Sequence, residues 1–296
     1  MAMTKIEAAK LSNDLLLRGV IETVVKESAI LAHLPFMEVT GTAVTYNREA
    51  TMPAVSFYGP GDTWAEATPT YTSHTAELKI LGGDADVDNF LQATYANAND
   101  IEAEVIASRA KAVAHKFSDT FFNGDTATDT KSFNGLKTLT PGGQTISMGT
   151  NGAALSLGKI DELIDAVRPG MPELIVMSKR TRRKLKDLRR TSGSVLEPSI
   201  DQFGRRIETY DGIPVVVDDF IPDTETQGTG TGLSSIYALK FGQGVGLMGL
   251  EHGGIRVETV GELETKDATR TRIKWYCGLA LFSTLGLARL SGITAD

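Results

Sequence analysis

The chain has 296 residues, enough to bury one large hydrophobic core or two smaller ones. Its 41% hydrophobic and 23% charged residues are ordinary for a globular protein, and a net charge of −7 argues against a dedicated nucleic-acid-binding protein. The only cysteine, Cys277, excludes an internal disulfide or a cysteine zinc cluster, and its apolar neighbours predict that it is buried.

The start of the chain has charged residues every few positions and lacks the apolar stretch of a signal peptide. The uncharged apolar run from Trp275 to Ala288 is too short and too rich in glycine to span a membrane. We therefore expect no membrane partner and synthesis in the cytoplasm.

Residues 4–34 show the apolar periodicity of a helix, which Pro35 ends. The stripe includes Leu17, Val20, Ile21 and Val24. A single apolar face on a terminal helix needs a partner surface, from its own chain or from a neighbouring copy.

Residues 36–88 predict a long β-hairpin. Val39–Tyr46 and Thr70–Ile80 are rich in β-branched residues, and the segment between them is irregular and contains several prolines and glycines. Few large apolar residues are available to fold this hairpin onto a core of its own, so we expect it to pack on something else.

The clearest helix is predicted over residues 99–123, where apolar residues mark one face over on the order of 35 Å. Asn99 and Glu102 resemble a capping box, and Gly124 is suited to a left-handed cap at the end of the helix. A stretch rich in turn residues follows it.

Residues 151–222 have the pattern of a compact α/β lobe. A helix capped by Ser156 is followed by a buried strand at Leu174–Met177, a basic helix at Lys179–Arg190 and a second buried strand at Ile213–Val217. The polar stretch 224–235 is predicted to be a polar turn or a flexible loop, and residues 236–293 return to strands.

The run Gly244–Gly249, GVGLMG, has the letters of a dinucleotide-binding loop. Such a loop needs a helix directly after it, so that the helix N-terminus meets the pyrophosphate. Here two more glycines and an alternating, strand-like pattern follow. We therefore expect Gly244, Gly246 and Gly249 to serve backbone geometry and to bind no cofactor.

The charged clusters of the sequence favour solvent-exposed surfaces over binding sites. The basic helix 179–190 has no interleaved aromatic residue, so a solvated face is the first interpretation and a polyanion site the alternative. An acidic cluster lacks the spacing of a calcium loop and is assigned to solubility; it comprises Asp211, Asp218, Asp219, Asp223 and Glu225. The four histidines are scattered, and we expect no catalytic, metal or cofactor site.

The order of these parts resembles the major capsid protein of tailed phages, the Hong Kong 97-type fold. The residues that carry the resemblance are Gly61–Glu66 through Leu78–Ile80, Phe121–Asp125 with Phe133–Leu136, Leu174–Ser178, Asp211–Val216, Phe241–Val257 and Asp267–Leu290. The resemblance implies an α+β fold with five regions. These are an N-terminal arm (1–35), an extended hairpin loop (36–88), a peripheral domain with a spine helix (89–150), an inserted axial α/β domain (151–225) and peripheral return strands (226–296).

The resemblance also implies a structural protein and not an enzyme. Its copies would assemble as pentamers and hexamers into an icosahedral virion shell around double-stranded DNA, which they contact without sequence specificity. We expect subunit contacts at Leu17, Val20, Ile21, Val24, Arg48, Phe57, Tyr58, Trp64 and Glu66. A separate scaffolding protein and a portal protein are expected partners, and decoration proteins are left open.

The prototype phage crosslinks its subunits through a lysine in the extended loop. No lysine occurs between Lys26 and Lys79, so we expect non-covalent locking. Two alternatives stay open at this point. One is an encapsulin-like nanocompartment shell, and the more distant one is a soluble nucleotide-dependent enzyme built on GVGLMG.

Overall fold

The computed structural model describes residues 30–89, 101–193, 197–200 and 206–295. The helices in these ranges are α1 (Ile101–Asn123), α2 (Leu136–Leu139), α3 (Leu157–Ala166) and α4 (Lys179–Thr191). The strands are β1 (Phe36–Glu38), β2 (Ala43–Thr51), β3 (Thr70–Glu77), β4 (Lys79–Asp88), β5 (Thr145–Ser147), β6 (Leu174–Met177), β7 (Glu197–Ile200), β8 (Arg206–Tyr210), β9 (Ile213–Val217), β10 (Glu225–Gln227), β11 (Gly230–Leu239), β12 (Leu247–Glu262), β13 (Ala268–Leu281) and β14 (Leu287–Ile293).

A four-stranded sheet in the order β1-β12-β13-β4 supports the long helix α1. The apolar stripe of α1 faces this sheet, and the ring of Phe117 lies 4.8 Å from that of Trp275 and 6.1 Å from that of Phe36. Cys277, on β13, is buried as predicted. The periodicity of residues 99–123 therefore predicted both the helix and its buried face.

An eight-stranded sheet contains β5-β14-β11-β6-β9-β8-β7, with β10 paired to β11. Successive side chains of a strand point to opposite faces. Leu174 and Val176 accordingly join the core beneath α1, whereas Ile175 and Met177 join the core beneath α3 and α4. Burial on both faces explains why β6 is continuously apolar.

The sheet also crosses the predicted limits of the axial domain. Strands β6 and β9, from 151–225, share it with β5, β11 and β14, from the regions assigned to the peripheral domain. The five-region division stays a proposal based on the resemblance.

The hairpin of β2 and β3 forms a separate two-stranded sheet. It is shorter than the predicted 36–88 loop, because β1 pairs with β12 and β4 pairs with β13 in the four-stranded sheet. Residues 43–77 are called the hairpin below, and the irregular residues 52–69 are called its tip.

Three local predictions were wrong. Gly124 does not have a positive φ; it is required because a Cβ would strike the carbonyl oxygens of Thr120 and Phe133. Ser156 precedes α3 but makes no side-chain cap hydrogen bond. The polar stretch 224–235 is not a flexible loop, since it forms β10, a tight turn at residues 228 and 229, and the first six residues of β11. The helix predicted over 4–34 lies mostly outside the described residues, and so does Asn99, the first residue of the predicted capping pair.

The GVGLMG run has the role predicted from its context. Gly244 has a φ of +80° in the turn between β11 and β12. Gly246 backs onto the carbonyl of Lys240, and Gly249 lies in β12 against the ring of Phe36, where a side chain would clash. Strand β12 begins at Leu247, so the helix that a pyrophosphate needs does not follow.

Candidate assembly surface

The root of the hairpin is tied to the end of β13. Tyr46 donates a hydrogen bond of 2.8 Å to the carbonyl of Leu281, and Arg48 Nε donates one of 2.9 Å to the carbonyl of Phe282. Arg48 Nη2 also donates to the carbonyl of Leu281. The rings of Tyr46 and Phe282 lie 4.8 Å apart. These contacts fix the direction in which the hairpin leaves the core.

His74 faces this anchor from β3, opposite Tyr46 in the strand register. Its Nε2 lies 3.4 Å from Arg48 Nη1. Desolvation and the positive charge of Arg48 both lower the pKa of His74 below its ordinary value. A neutral histidine at neutral pH avoids repulsion with the guanidinium, and the root therefore holds one positive charge there.

Beyond the root, the tip is ordered by its own side chains. The rings of Tyr58 and Trp64 stack at 4.6 Å, and the amide of Ala65 donates to the Tyr58 hydroxyl at 3.1 Å. The amide of Gly59 donates to Asp62 at 2.5 Å. These contacts define a local shape, but they connect the tip only to itself.

Large apolar side chains on the outer half of the hairpin face solvent. Phe57 is fully exposed, and Trp64 retains 77% of its accessible surface. The other members of this group are Met52, Val55 and Tyr71. A group of this kind on one projecting element is typical of a surface that contacts another protein.

The predicted contact residues have different positions. Leu17, Val20, Ile21 and Val24 lie outside the described residues. Phe57, Trp64 and Glu66 are exposed on the tip, and Tyr58 is half-buried under Trp64. Arg48 belongs to the intrachain anchor of the root, a role that its sequence position did not indicate.

Residues missed by sequence reasoning complete this surface. Tyr46 anchors the root, and Met52, Val55 and Tyr71 extend the apolar group. The sequence around residues 52–69 has too few large apolar residues to form a core, and this pattern could have predicted that the apolar residues there are exposed. The anchor had no such signal, because its acceptors are backbone carbonyls more than 230 positions away.

The described part of the chain offers neither a metal site nor a membrane-spanning helix. No group of three or more histidine, cysteine, aspartate and glutamate side chains there is arranged to hold a metal ion. No helix there is long and apolar enough to cross a membrane. The acidic cluster is largely used in ion pairs, with Asp219 bound to Lys179 and Glu225 bound to Arg289.

Comparison with known proteins identifies relatives of the whole architecture. The sequence model of the phage capsid family matches residues 11–291. No curated protein sequence matches the chain. Among solved structures, the encapsulin of the holo-SrpI complex from Synechococcus elongatus PCC 7942 is 18% identical, with a TM-score of 0.74 over 100% of this chain and 98% of the encapsulin.

Two further similar structures come from phage-like particles. The capsid protein of the native GTA particle is 17% identical and has a TM-score of 0.67 over 90% of this chain and 91% of its own. The protein from Microbacterium phage Oxtober96 is 18% identical and has a TM-score of 0.64 over 90% of both chains. At these identities the likeness establishes the shared fold.

Proposed function

The chain belongs to the phage capsid family and has the Hong Kong 97-type fold of a major capsid protein; we propose that it assembles as pentamers and hexamers into an icosahedral shell that encloses double-stranded DNA. Its role is structural, and we propose that it performs no catalysis. Five- and six-membered rings are built from heterologous contacts, in which a surface of one copy meets a different surface of the next.

The projecting hairpin is the observation that carries this proposal. Its root is fixed to the end of β13, while Met52, Val55, Phe57, Trp64 and Tyr71 are exposed. Burying one large apolar side chain stabilises a contact by roughly 1.5–3 kcal/mol, so five supply at most about 7–15 kcal/mol before ordering costs. A neighbouring copy would cover this group in a shell.

We expect the shell to be locked without covalent bonds. The tip contains no lysine, and Lys79, the first lysine after it, is held by Glu77 at 2.8 Å and by the carbonyl of Thr130 at 3.2 Å. Mature shells boiled in detergent should therefore release a single species of 31.7 kDa on a denaturing gel. A ladder of oligomers that survives boiling would contradict non-covalent locking.

The same reasoning extends to partners and location. We propose a separate scaffolding protein, a portal protein at one vertex, and packaged DNA that is contacted without sequence specificity. The proposal does not specify whether decoration proteins bind the shell. The subunit would be made in the host cytoplasm and would end in the virion capsid.

A second candidate function is an encapsulin-like shell that encloses a cargo protein. The observation that favours it is the TM-score of 0.74 to an encapsulin over the whole chain. The two kinds of shell differ in what they enclose and in whether they need a scaffolding protein. Expression of this chain alone therefore distinguishes the two functions.

The test is negative-stain microscopy of the purified protein with analysis of its contents. Closed particles that need a scaffolding protein and protect DNA from nuclease support the phage capsid. Particles that form unaided around a co-purified protein support the encapsulin. A monomer or dimer that persists under all conditions, with and without its scaffolding protein, refutes both.

A further inference from the structure

Helix α4 carries more positive charge than the described part of its own chain neutralises. Eight of its 13 residues are lysine or arginine, and its buried side is supplied by Thr181 and Leu185. Four of these cations have partners. Three form ion pairs: Lys179 with Asp219 at 2.6 Å, Arg180 with Asp223 at 3.3 Å, and Lys186 with Glu208. The fourth, Arg189, lies over the ring of Tyr210, 5.0 Å from its centroid. Arg182, Arg183, Lys184 and Arg190 make no ion pair with any residue that the structure describes.

Two features of this charge arrangement destabilise the helix, although Arg189 and Arg190 are favourably placed in its last turn. The first turn contains several cations and no acidic residue, although the N-terminal end of a helix favours negative charge. Like charges also stand four residues apart at Lys179 and Arg183 and at Lys186 and Arg190, and such pairs repel each other. A bound anion would remove both penalties.

The cations gather in a recess of about 310 Å³, called the α4 recess. Among the described residues, its charged lining is Arg180, Arg183, Lys184, Lys186 and Arg190, together with the acidic Asp187.

We propose that the α4 recess and the exposed face of α4 bind the phosphate backbone of duplex DNA without reading its sequence. From Arg183 to Arg190 the helix rises about 10 Å, and a DNA strand carries one phosphate per about 3.4 Å of helix axis. The face therefore spans roughly three phosphates. The planar guanidinium group of arginine can donate two parallel hydrogen bonds to one phosphate. Helix α4 contains no aromatic residue that could stack on unpaired bases, so duplex DNA is favoured over a single strand.

The inference rests on the proposed function, since a DNA-filled shell supplies the ligand. It also fits the net charge of −7, because one local basic face on an acidic subunit holds DNA weakly and reversibly. Carboxylates of a neighbouring copy are the competing occupant, and the experiment below separates the two.

The experiment measures anisotropy of a short fluorescein-labelled DNA duplex titrated with the full-length protein between about 50 and 200 mM salt. The test variant carries Arg183→Ala, Lys184→Ala and Arg190→Ala. The control variant removes the same charge from exposed positions elsewhere, Lys131→Ala, Arg168→Ala and Lys266→Ala. Thermal unfolding of each protein, with the same melting temperature expected for all three, establishes that the comparison is between folded chains.

We expect the test variant to lose roughly tenfold or more in affinity and to reduce the slope of log affinity against log salt by about 2 to 3, relative to wild type and control. Equal affinity and slope in test and control variants overturn the proposal. Displacement of the duplex by an equal concentration of inorganic phosphate overturns the claim that a backbone is bound.

Microscopy of the same three proteins distinguishes this inference from the proposed function. A test variant that no longer assembles but binds the duplex as wild type does assigns α4 to contacts between copies and overturns the proposal. If wild-type protein forms no shells, the proposed function fails, and the anisotropy result on the unassembled chain still decides whether α4 binds DNA.

Discussion

Replacing Phe57 by alanine should weaken assembly and leave the folded subunit unchanged. The side chain is fully exposed and makes no ring contact with the described residues, so the isolated subunit loses nothing on truncation. In a shell, burial of Phe57 contributes about 1.5–3 kcal/mol per hairpin. Adding Trp64→Ala raises the loss to about 3–6 kcal/mol, which corresponds to a factor of roughly 10² to 10⁴ in the affinity of each contact.

The assay is the protein concentration at which particles appear, followed by light scattering and size-exclusion chromatography. Thermal unfolding of the unassembled subunit runs in parallel. Val260→Ala with Met171→Ala is the matched control, because both side chains are more than half exposed, at 56% and 51%, and lie away from the hairpin. The reasoning is refuted if the Phe57 variant assembles at the wild-type concentration, or if its subunit melts several degrees lower.

Three further predictions concern the stability of the folded subunit. Arg48→Ala removes the charged hydrogen bonds of the hairpin root, and we expect about 1–3 kcal/mol lower stability with faster hydrogen exchange across residues 43–77; unchanged exchange would contradict the anchor. Arg289→Ala removes the 2.9 Å partner of the buried Glu225, which keeps the Ser235 hydroxyl and Lys137 at 3.8 Å, and should cost about 1.5–3 kcal/mol in denaturant unfolding. Lys274→Ala, in an exposed pair, should cost less than about 1 kcal/mol, and similar costs would refute the distinction. Burial raises the pKa of Asp218, so its charge destabilises the folded state increasingly as pH rises from the unfolded-state pKa of about 4; Asp218→Asn should be more stable than wild type at neutral pH and lose that advantage in acid, and a pH-independent difference would count against this origin.

Elements with a self-contained pattern were predictable from the sequence. Helix α4 runs from Lys179 to Thr191, one residue beyond the prediction, because Leu185 and Leu188 give it a packing face. Strand β6 matches the predicted Leu174–Met177, because a short apolar run between a turn and a polar helix is typical of a buried strand. In both cases neighbouring residues carry all the information that the element needs.

The prediction for 224–235 failed because the contacts that order this segment are distant in sequence. Glycines and threonines there resemble a loop, yet Glu225 pairs with Arg289, which is 64 positions away. Ser234 pairs with Ile293 across the sheet. A polar strand held by remote partners has no local periodicity, so composition alone assigns it to a loop.

The candidate assembly surface was predictable in outline for a related reason. Residues 52–69 contain too few large apolar residues to form a core, and this can be read directly from the sequence. The anchor at Tyr46 and Arg48 was not visible, because it depends on two carbonyls at the end of β13. Sequence patterns therefore indicated that the hairpin leaves the core, but not what directs it.

The two proposed surfaces respond to salt in opposite directions, and this difference separates their roles. Contacts of Phe57 and Trp64 are apolar, and sulfate or phosphate strengthens such burial. Contacts of Arg183 and Arg190 with DNA depend on counterion release and weaken as salt rises. Shells purified at high sulfate should therefore stay closed while they release their hold on DNA. Because α4 and the hairpin tip share no residue, a substitution in one should leave the salt response of the other unchanged.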